Sequence, residues 1–279
     1  MYIKCWGSRG SIPVSGKEYI KYGGDTTCLE IRTKDDRLII VDAGTGIRRL
    51  GNQMVKEGRY KCDIIFTHAH WDHLMGFPFF KPVYLPRCEI QMQGCPFAQK
   101  YVETMLTRVM SQPNFPVRYA DIMARISYEP ACAPHFDIGS VTVIPIRLSH
   151  PNQGSGYKFI EDGKTFVFLT DNELGYTHRG GLSFDSYRAF SEGADLFMHD
   201  AEYTEEEYKV TKQWGHSVYT AALELAIKAK VKKFGLFHLN QDRTDQGVDQ
   251  MVEECQQIVA KRDAKLECFA VGADMSFVL

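Results

Sequence analysis

The strongest constraint on this chain is seven residues long. Residues 67–73 read Thr-His-Ala-His-Trp-Asp-His and follow directly on the apolar run Asp63-Ile64-Ile65-Phe66. His68, His70, Asp72 and His73 thus fall within six positions. Crowding so many titratable groups together is costly unless something holds them. Neutral imidazole and carboxylate are good ligands for zinc and related divalent ions. His68 and His70, two apart in an extended or tightly turned backbone, can face one ion, while Asp72 and His73 can turn toward a second. A fold carrying this segment must present it where a strand ends, on a rigid base. One ion takes about four ligands, and a catalytic ion keeps a position open for water. Further ligands must therefore arrive from elsewhere in the chain, one of them preferably as a bridge.

Three candidates stand where apolar β-runs stop: His150 after Ile146-Arg147-Leu148-Ser149, Asp171 after Phe168-Leu169-Thr170, and His238 after Leu236-Phe237. A single strand-end His or Asp is more often a hydrogen-bonded turn residue than a ligand. Each gains weight only in company with the 67–73 cluster.

The 279 residues allow one large domain or two small ones. With 44% hydrophobic and 24% charged residues the composition is that of a globular protein. Against 35 acidic residues stand 33 basic ones, so the net charge of −2 excludes bulk electrostatic gripping of nucleic acid but leaves a local basic patch open. No apolar stretch approaches the ~18 residues of a membrane helix, and the opening MYIKCWGSRG lacks a signal peptide's apolar core. A cytoplasmic protein without membrane contact is expected. Cysteines 5, 28, 62, 88, 95, 132, 255 and 268 form no C-x-x-C pair and read as free buried thiols.

Residues 2–66 are β-rich, with a helix at about 45–57 where Ile47, Leu50 and Met54 recur at helical spacing. The segment 76–135 opens with a Pro- and aromatic-rich run and contains a helix at about 98–111, in which Tyr101, Met105 and Val109, and Val102 with Leu106, recur every four residues. It reads as an insertion or cover over the site within a single domain spanning 1–279. Asp162-Gly163 signals a hairpin turn. A helix from Ser217, as its N-cap, to about Ala229 and another at about 246–261 follow, with strands closing the chain. Strands in blocks followed by helices give an α+β, or layered α/β, class with two sheets.

The chain resembles the metallo-β-lactamase-fold superfamily, whose principal signature is H-x-H-x-D-H after an apolar strand. Within it, GSRGSIPV, YGGDTTCLEI, VDAGTGIRRLG, FLTDNE, WGHS and FHLNQDRTD are similar to the ribonuclease Z and cyclic-nucleotide phosphodiesterase branch. The resemblance implies a four-layer αββα sandwich with a two-metal site at one edge of the sheets. It implies one metal held by His68, His70, His150 and Asp171, and another held by Asp72, His73, His238 and the same Asp171. His216 of WGHS matches the histidine that acts on the phosphodiester. Branch members are often homodimers. Leu239 after the last ligand, and Asp25 where relatives often carry Asn, bear on the substrate. No stretch matches the long arm with which ribonuclease Z grips tRNA.

The expected cofactors are two divalent ions, zinc first, with manganese or iron also compatible with His and Asp. Such a pair lowers the pKa of a shared water to ~7, and Asp72, Asp171 and the resulting hydroxide would leave the loaded site at about +1, suited to a phosphodiester monoanion. His216 is the expected general acid, with Asp200 as a partner that orients it, and the N-terminus of the 217–229 helix could bind a phosphate oxygen. His135, His178 and Arg179 read as solvated loop residues, His199 as a core or supporting histidine, and Arg9, Arg48 and Arg49 as surface residues able to reach phosphate. The aromatics at 77–86 could stack a base, although a hydrophobic cover or subunit contact is the plainer reading.

The expected activity is metal-dependent hydrolysis of a small cyclic phosphodiester (a cyclic nucleotide or cyclic ribose phosphate) or of short RNA. The alternatives are a carbonyl-directed metallohydrolase (lactonase, thioesterase or β-lactamase), an iron-dependent oxidoreductase, or a non-catalytic scaffold of the same fold. Serine-hydrolase, P-loop and dinucleotide fingerprints are absent.

Overall fold

Leu38–Val41 is apolar throughout, and Lys61–Ile65 and Lys164–Leu169 end in the apolar pair Ile64-Ile65 and the apolar run Phe166–Leu169, as strands covered on both faces require. The computed structural model describes residues 1–94, 96–130 and 134–279. Six strands come first: β1 (Tyr2–Gly7), β2 (Cys28–Arg32), β3 (Leu38–Val41), β4 (Lys61–Ile65), β5 (Glu89–Gly94) and β6 (Arg125–Pro130). Seven form a second sheet: β7 (Phe136–Ile138), β8 (Val141–Leu148), β9 (Gly154–Glu161), β10 (Lys164–Leu169), β11 (Leu196–Asp200), β12 (Lys233–Phe237) and β13 (Glu267–Ala270). The last strand, β14 (Ser276–Val278), returns to the first sheet. The orders are β14-β1-β2-β3-β4-β5-β6 and β13-β12-β11-β10-β9-β8-β7. In each sheet one part is antiparallel, and the rest, β3 to β6 and β10 to β13, is parallel.

Successive side chains on a strand point to opposite faces, and the apolar strands use both. Ile39, Val41 and Ile65 face Phe166, Phe168, Met198 and Phe237 in a core between the sheets. Ile40 and Ile64 point outward onto α1 (Ile47–Lys56) and α3 (Pro96–Val109). Val167, Phe197 and Leu236 point outward onto α4 (Phe184–Ser191), α6 (Tyr219–Lys228) and α7 (Asp245–Lys261). The result is two mixed sheets flanked by helices, the αββα sandwich implied by the sequence. Asp162 and Gly163 both adopt positive φ in the β9–β10 hairpin, the type of turn their pairing signals.

Two sequence expectations change. The 76–135 segment, expected as an insertion or cover, is largely built into the body: β5 and β6 extend the first sheet in parallel, and Phe77, Phe80 and Val83 are core. Its Pro residues form single 3-10 turns at Phe77–Phe79 and Lys81–Tyr84, so most of the aromatic run is committed to packing, and the exposed Phe79 sits against Phe115. The helix expected from Ser217 begins at Tyr219, because Ser217 Oγ is spent elsewhere, donating to Asn172 O and accepting from Leu174 N. Cys95, Cys132 and the side chain of Tyr101 lie outside the described residues; the other six cysteines are buried free thiols. Among the described residues no helix is long and apolar enough to cross a membrane.

Candidate metal centre

Side chains for chemistry in open parallel sheets gather where strands end at their carboxyl edge. Here both sheets deliver theirs to one place. From the first sheet, Asp42 follows β3 and the 67–73 turn follows β4, running into the short helix α2 (Trp71–Leu74). From the second, His150 follows β8, Asp171 follows β10, Asp200 ends β11 and His238 follows β12. The turn is pinned from both sides: Thr67 N donates to Asp42 Oδ1 at 2.7 Å, and Ser155 N donates to Thr67 O at 2.8 Å. Gly44 is needed for close approach, since a Cβ there would lie 2.5 Å from Asp72 O.

The ligand atoms converge. Those of His68, His70, His150 and Asp171 lie within 4.8 Å of one another, as do those of Asp72, His73, Asp171 and His238. Asp171 joins the two groups. Its Oδ2 lies 3.4 Å from His68 Nε2, 3.4 Å from His73 Nε2 and 3.8 Å from His150 Nε2, and its Oδ1 lies 3.3 Å from His238 Nε2. Asp72 Oδ2 is 3.1 Å from His238 Nε2 and accepts from Ser11 N at 3.0 Å.

The far nitrogen of each of four rings is occupied, which fixes the ring and turns the other nitrogen inward. His73 Nδ1 pairs with Asp42 Oδ2 at 2.7 Å, and His238 Nδ1 with Glu202 Oε2 at 2.9 Å. His150 Nδ1 donates to Gly215 O at 2.9 Å, and His68 Nδ1 meets Thr67 Oγ1 at 3.1 Å. His68 Nε2 and His73 Nε2 are buried and have no hydrogen-bond partner. Orphaned buried nitrogens are rare, and these two face a shared carboxylate among further imidazoles. The donor set therefore fits divalent ions.

The electrostatics divide the rings: against burial, Asp72 and Asp171 raise His73 and His238 well above the ordinary value, where a bound ion would take the place of the proton, and the other three rings go the opposite way. Burial pushes His68 well below its ordinary value, lowers His70 and takes His150 down to about 3, so these rings are neutral, as ligands must be. Burial alone would raise Asp72 and Asp171. The neighbouring imidazoles, His73 and His238 foremost, outweigh it and hold both carboxyls well below the usual range.

His216 stands beside this group. Its ring stacks on His238 with centroids 4.6 Å apart, and its Nδ1 pairs with Asp200 Oδ2 at 2.8 Å, with Glu202 Oε2 at 3.4 Å. Burial opposes the ring's charge, but the Glu202 and Asp200 carboxylates prevail and hold it up at about 9. Asp171, Asp200, His216 and His238 form a third convergent set that shares two members with the second.

Other expectations change. At the start of the helix after Ser217 two of the N–H groups are taken: Ser217 N donates to Asp200 Oδ1 and Tyr219 N to Tyr203 O. Arg9 is fully buried, not a surface residue, and its guanidinium donates to the carbonyls of Asn240, Arg243 and Gly23. Arg49 pairs with Asp274. His178 is not solvated; its Nε2 meets Glu173 Oε2 at 2.7 Å. His135 is exposed, and His199 is a buried supporting residue that accepts from Asn172 Nδ2 at 3.0 Å. Asp42, Thr67, Glu173 and Glu202 were missed by sequence reasoning. Asp42 and Glu173 lie inside quoted motifs; Asp42 stands one residue past β3 and Glu202 two past β11, and a strand-end carboxylate was the available signal.

Residues 37–239 match the model of the beta-lactamase superfamily domain, and the chain belongs to that family. It is 23% identical over 247 residues to ribonuclease Z of Sulfolobus acidocaldarius, spanning 72% of this chain and 78% of that protein. The crystal structure of the metallo-beta-lactamase fold protein YhfI from Bacillus subtilis superposes with a TM-score of 0.73 at 15% identity, covering 99% of this chain and 98% of that one. A diphosphatase from the PhnP family superposes with a TM-score of 0.70 at 17% identity, covering 100% and 97%.

Proposed function

We propose that this chain is a metal-dependent phosphodiesterase. The observation that carries the reading is the pairing of two convergent His/Asp groups, joined by Asp171, with His216 beside them, held by the Asp200 and Glu202 carboxylates. Names denoting cleavage at phosphate, ribonuclease Z and a diphosphatase, recur among the proteins it resembles. His68, His70, His150 and Asp171 would hold one ion, and Asp72, His73, His238 and Asp171 the other. When bound, a pair of divalent ions supplies Lewis acidity and a water of lowered pKa. We take the ions to be zinc, which His-rich sites with carboxylates accept readily.

The chain's own groups do the rest. Asp42, Glu202, Thr67 and Gly215 O hold the imidazoles in place. The burial of the ligands keeps bulk water from competing for the phosphate. His216 donates a proton to the departing oxygen from Nε2, because its Nδ1 is committed to Asp200. Asp200 and Glu202 keep that proton available near neutral pH. A held acid suits a substrate whose leaving group is an alkoxide, as a cyclic phosphodiester's is.

We further place the protein in the cytoplasm, supported by its six buried free thiols, and take it to be a homodimer, on its resemblance to the branch. The test is removal and return of metal. Metal-stripped protein should lose hydrolysis of bis-p-nitrophenyl phosphate and of a 3′,5′-cyclic mononucleotide, and zinc should restore both, with mass measured on elution. A fully loaded sample inert on cyclic mononucleotides, cyclic ribose phosphates and single-stranded RNA alike would end the reading.

A further inference from the structure

A cleft of about 340 Å³ opens onto His216. Its walls include Trp214, Val210 and Tyr203, and its polar margin includes Glu202, Glu207 and Asp242. Pockets of this order take small molecules. Trp214 is 63% exposed, more than Trp71 at 52% and far more than Trp6 at 5%.

The turn that carries Trp214 is built to hold still. The buried Glu173 carboxylate accepts from Gln213 N at 2.8 Å and from Gly215 N at 2.9 Å, on either side of the tryptophan. It also accepts from Tyr208 OH at 2.6 Å and meets His178 at 2.7 Å. Trp214 N donates to Thr211 O, closing the turn on the end of α5 (Glu205–Thr211). Gly215 sits at φ 101°, where a Cβ would lie 2.2 Å from His150 Nδ1. The backbone that carries the indole is thus fixed, two residues before His216, and the ring stands open on the same cleft. A rigid, exposed aromatic face costs a ligand little ordering, and every nucleobase has a flat face that stacks on one.

The charges narrow the ligand. Among the described residues that line the cleft there are three carboxylates and no Lys or Arg. A second phosphate would find no cation there, as a nucleic-acid strand would require. Glu202 is taken by His238 and Asn240 and Glu207 by Thr204 and Arg243, which leaves the exposed Asp242 as the carboxylate open to a hydroxyl or amine donor.

We infer that the cleft beside His216 is a nucleoside subsite in which Trp214 stacks on the nucleobase of a substrate with a single phosphodiester. The inference rests on the phosphodiesterase reading and adds the part of the substrate that leaves the metal centre. Trp214 is then a specificity-determining residue.

The experiment compares wild type, Trp214→Ala and Trp214→Phe, all metal-loaded, on three substrates: a 3′,5′-cyclic mononucleotide, the cyclic phosphate of methyl riboside, which lacks a base, and a short single-stranded RNA. Trp214→Ala should reduce the preference in kcat/KM for the nucleotide over its base-free analogue by roughly 10- to 100-fold, mainly through KM. Trp214→Phe should keep most of that preference. A preference unchanged within twofold, or an effect confined to the RNA, overturns the inference. A second readout is independent of turnover: a nucleoside monophosphate should quench tryptophan fluorescence in the wild type and not in Trp214→Phe. If no substrate is cleaved, the phosphodiesterase reading falls, and the quench alone decides the subsite: its presence supports it and its absence removes it.

Discussion

The two sheets contribute to the site in opposite ways. The first sheet gives four of the seven candidate ligands in one turn, His68 to His73, supported by Asp42 from the neighbouring strand end. The second gives His150, Asp171 and His238, one each from the ends of β8, β10 and β12, supported by groups on separate loops. The first half moves as a unit, while the second exists only if three strands keep their register. The N-terminal loop ties the halves together: Leu239 N donates to Ser8 O, Gly10 N to Leu239 O and Ser11 N to Asp72 Oδ2. A local cluster can thus be strong in sequence and still chemically incomplete.

Asp171 is where the halves meet, so its loss should have the largest effect. Asp171→Ala should lower turnover of bis-p-nitrophenyl phosphate by at least about 10³-fold, beyond the roughly 10–100-fold typical of losing a supporting partner. Elemental analysis should find less than one ion per chain. Two retained ions with turnover within tenfold of wild type would separate the halves.

His216 belongs to the second half but not to the candidate ligands. His216→Ala should keep both ions and lose roughly 10²–10⁴-fold in kcat on a cyclic nucleotide, whose alkoxide needs a proton. The loss on bis-p-nitrophenyl phosphate should be much smaller, because nitrophenolate leaves unprotonated. Equal losses on the two substrates would argue against a proton donor.

The supporting carboxylates compare the halves directly. Asp42→Ala and Glu202→Gln should each weaken metal affinity by about 10–100-fold, measured by competition with a chelating dye. Asp42→Ala should also lower stability by roughly 1–3 kcal/mol in urea unfolding, because it strands the buried Thr67 N–H and hydroxyl that donate to it. Glu202→Gln keeps an acceptor and should unfold close to wild type.

The smallest effect is a shift rather than a loss. Glu202 and Asp200 hold the His216 ring up at about 9, and in the proposed mechanism the protonated ring is the working form. Activity should fall as pH rises through that pKa. Asp200→Asn removes a stabilising negative charge, so the alkaline limb of the kcat profile should move to lower pH. A limb that stays in place would assign it to another group.

Much of the fold was legible because strands buried on both faces have to be continuously apolar, and LIIV, DIIF and TFVFL announce themselves. Helices α1 and α3 were visible in their periodicity. The 76–135 segment misled because Pro and aromatics look like a loop when their burial cannot be seen, whereas Phe77 and Phe80 are core. Ser217 looked like a cap because nothing local reveals that Asn172 and Leu174, more than forty residues away, take its hydroxyl.

The sequence by itself determined that His68, His70, Asp72 and His73 share one turn, since neighbours along the chain cannot be parted by any fold. It also determined which strands are buried, since hydrophobicity is carried by each residue. Only the tertiary structure decided that Asp171 lies between two groups of imidazoles, that Asp42 and Glu202 set the direction of His73 and His238, and that Trp214 stands open beside His216. Those relations are distances between segments far apart in the chain, and they come into being only when two sheets pack and their strand ends meet.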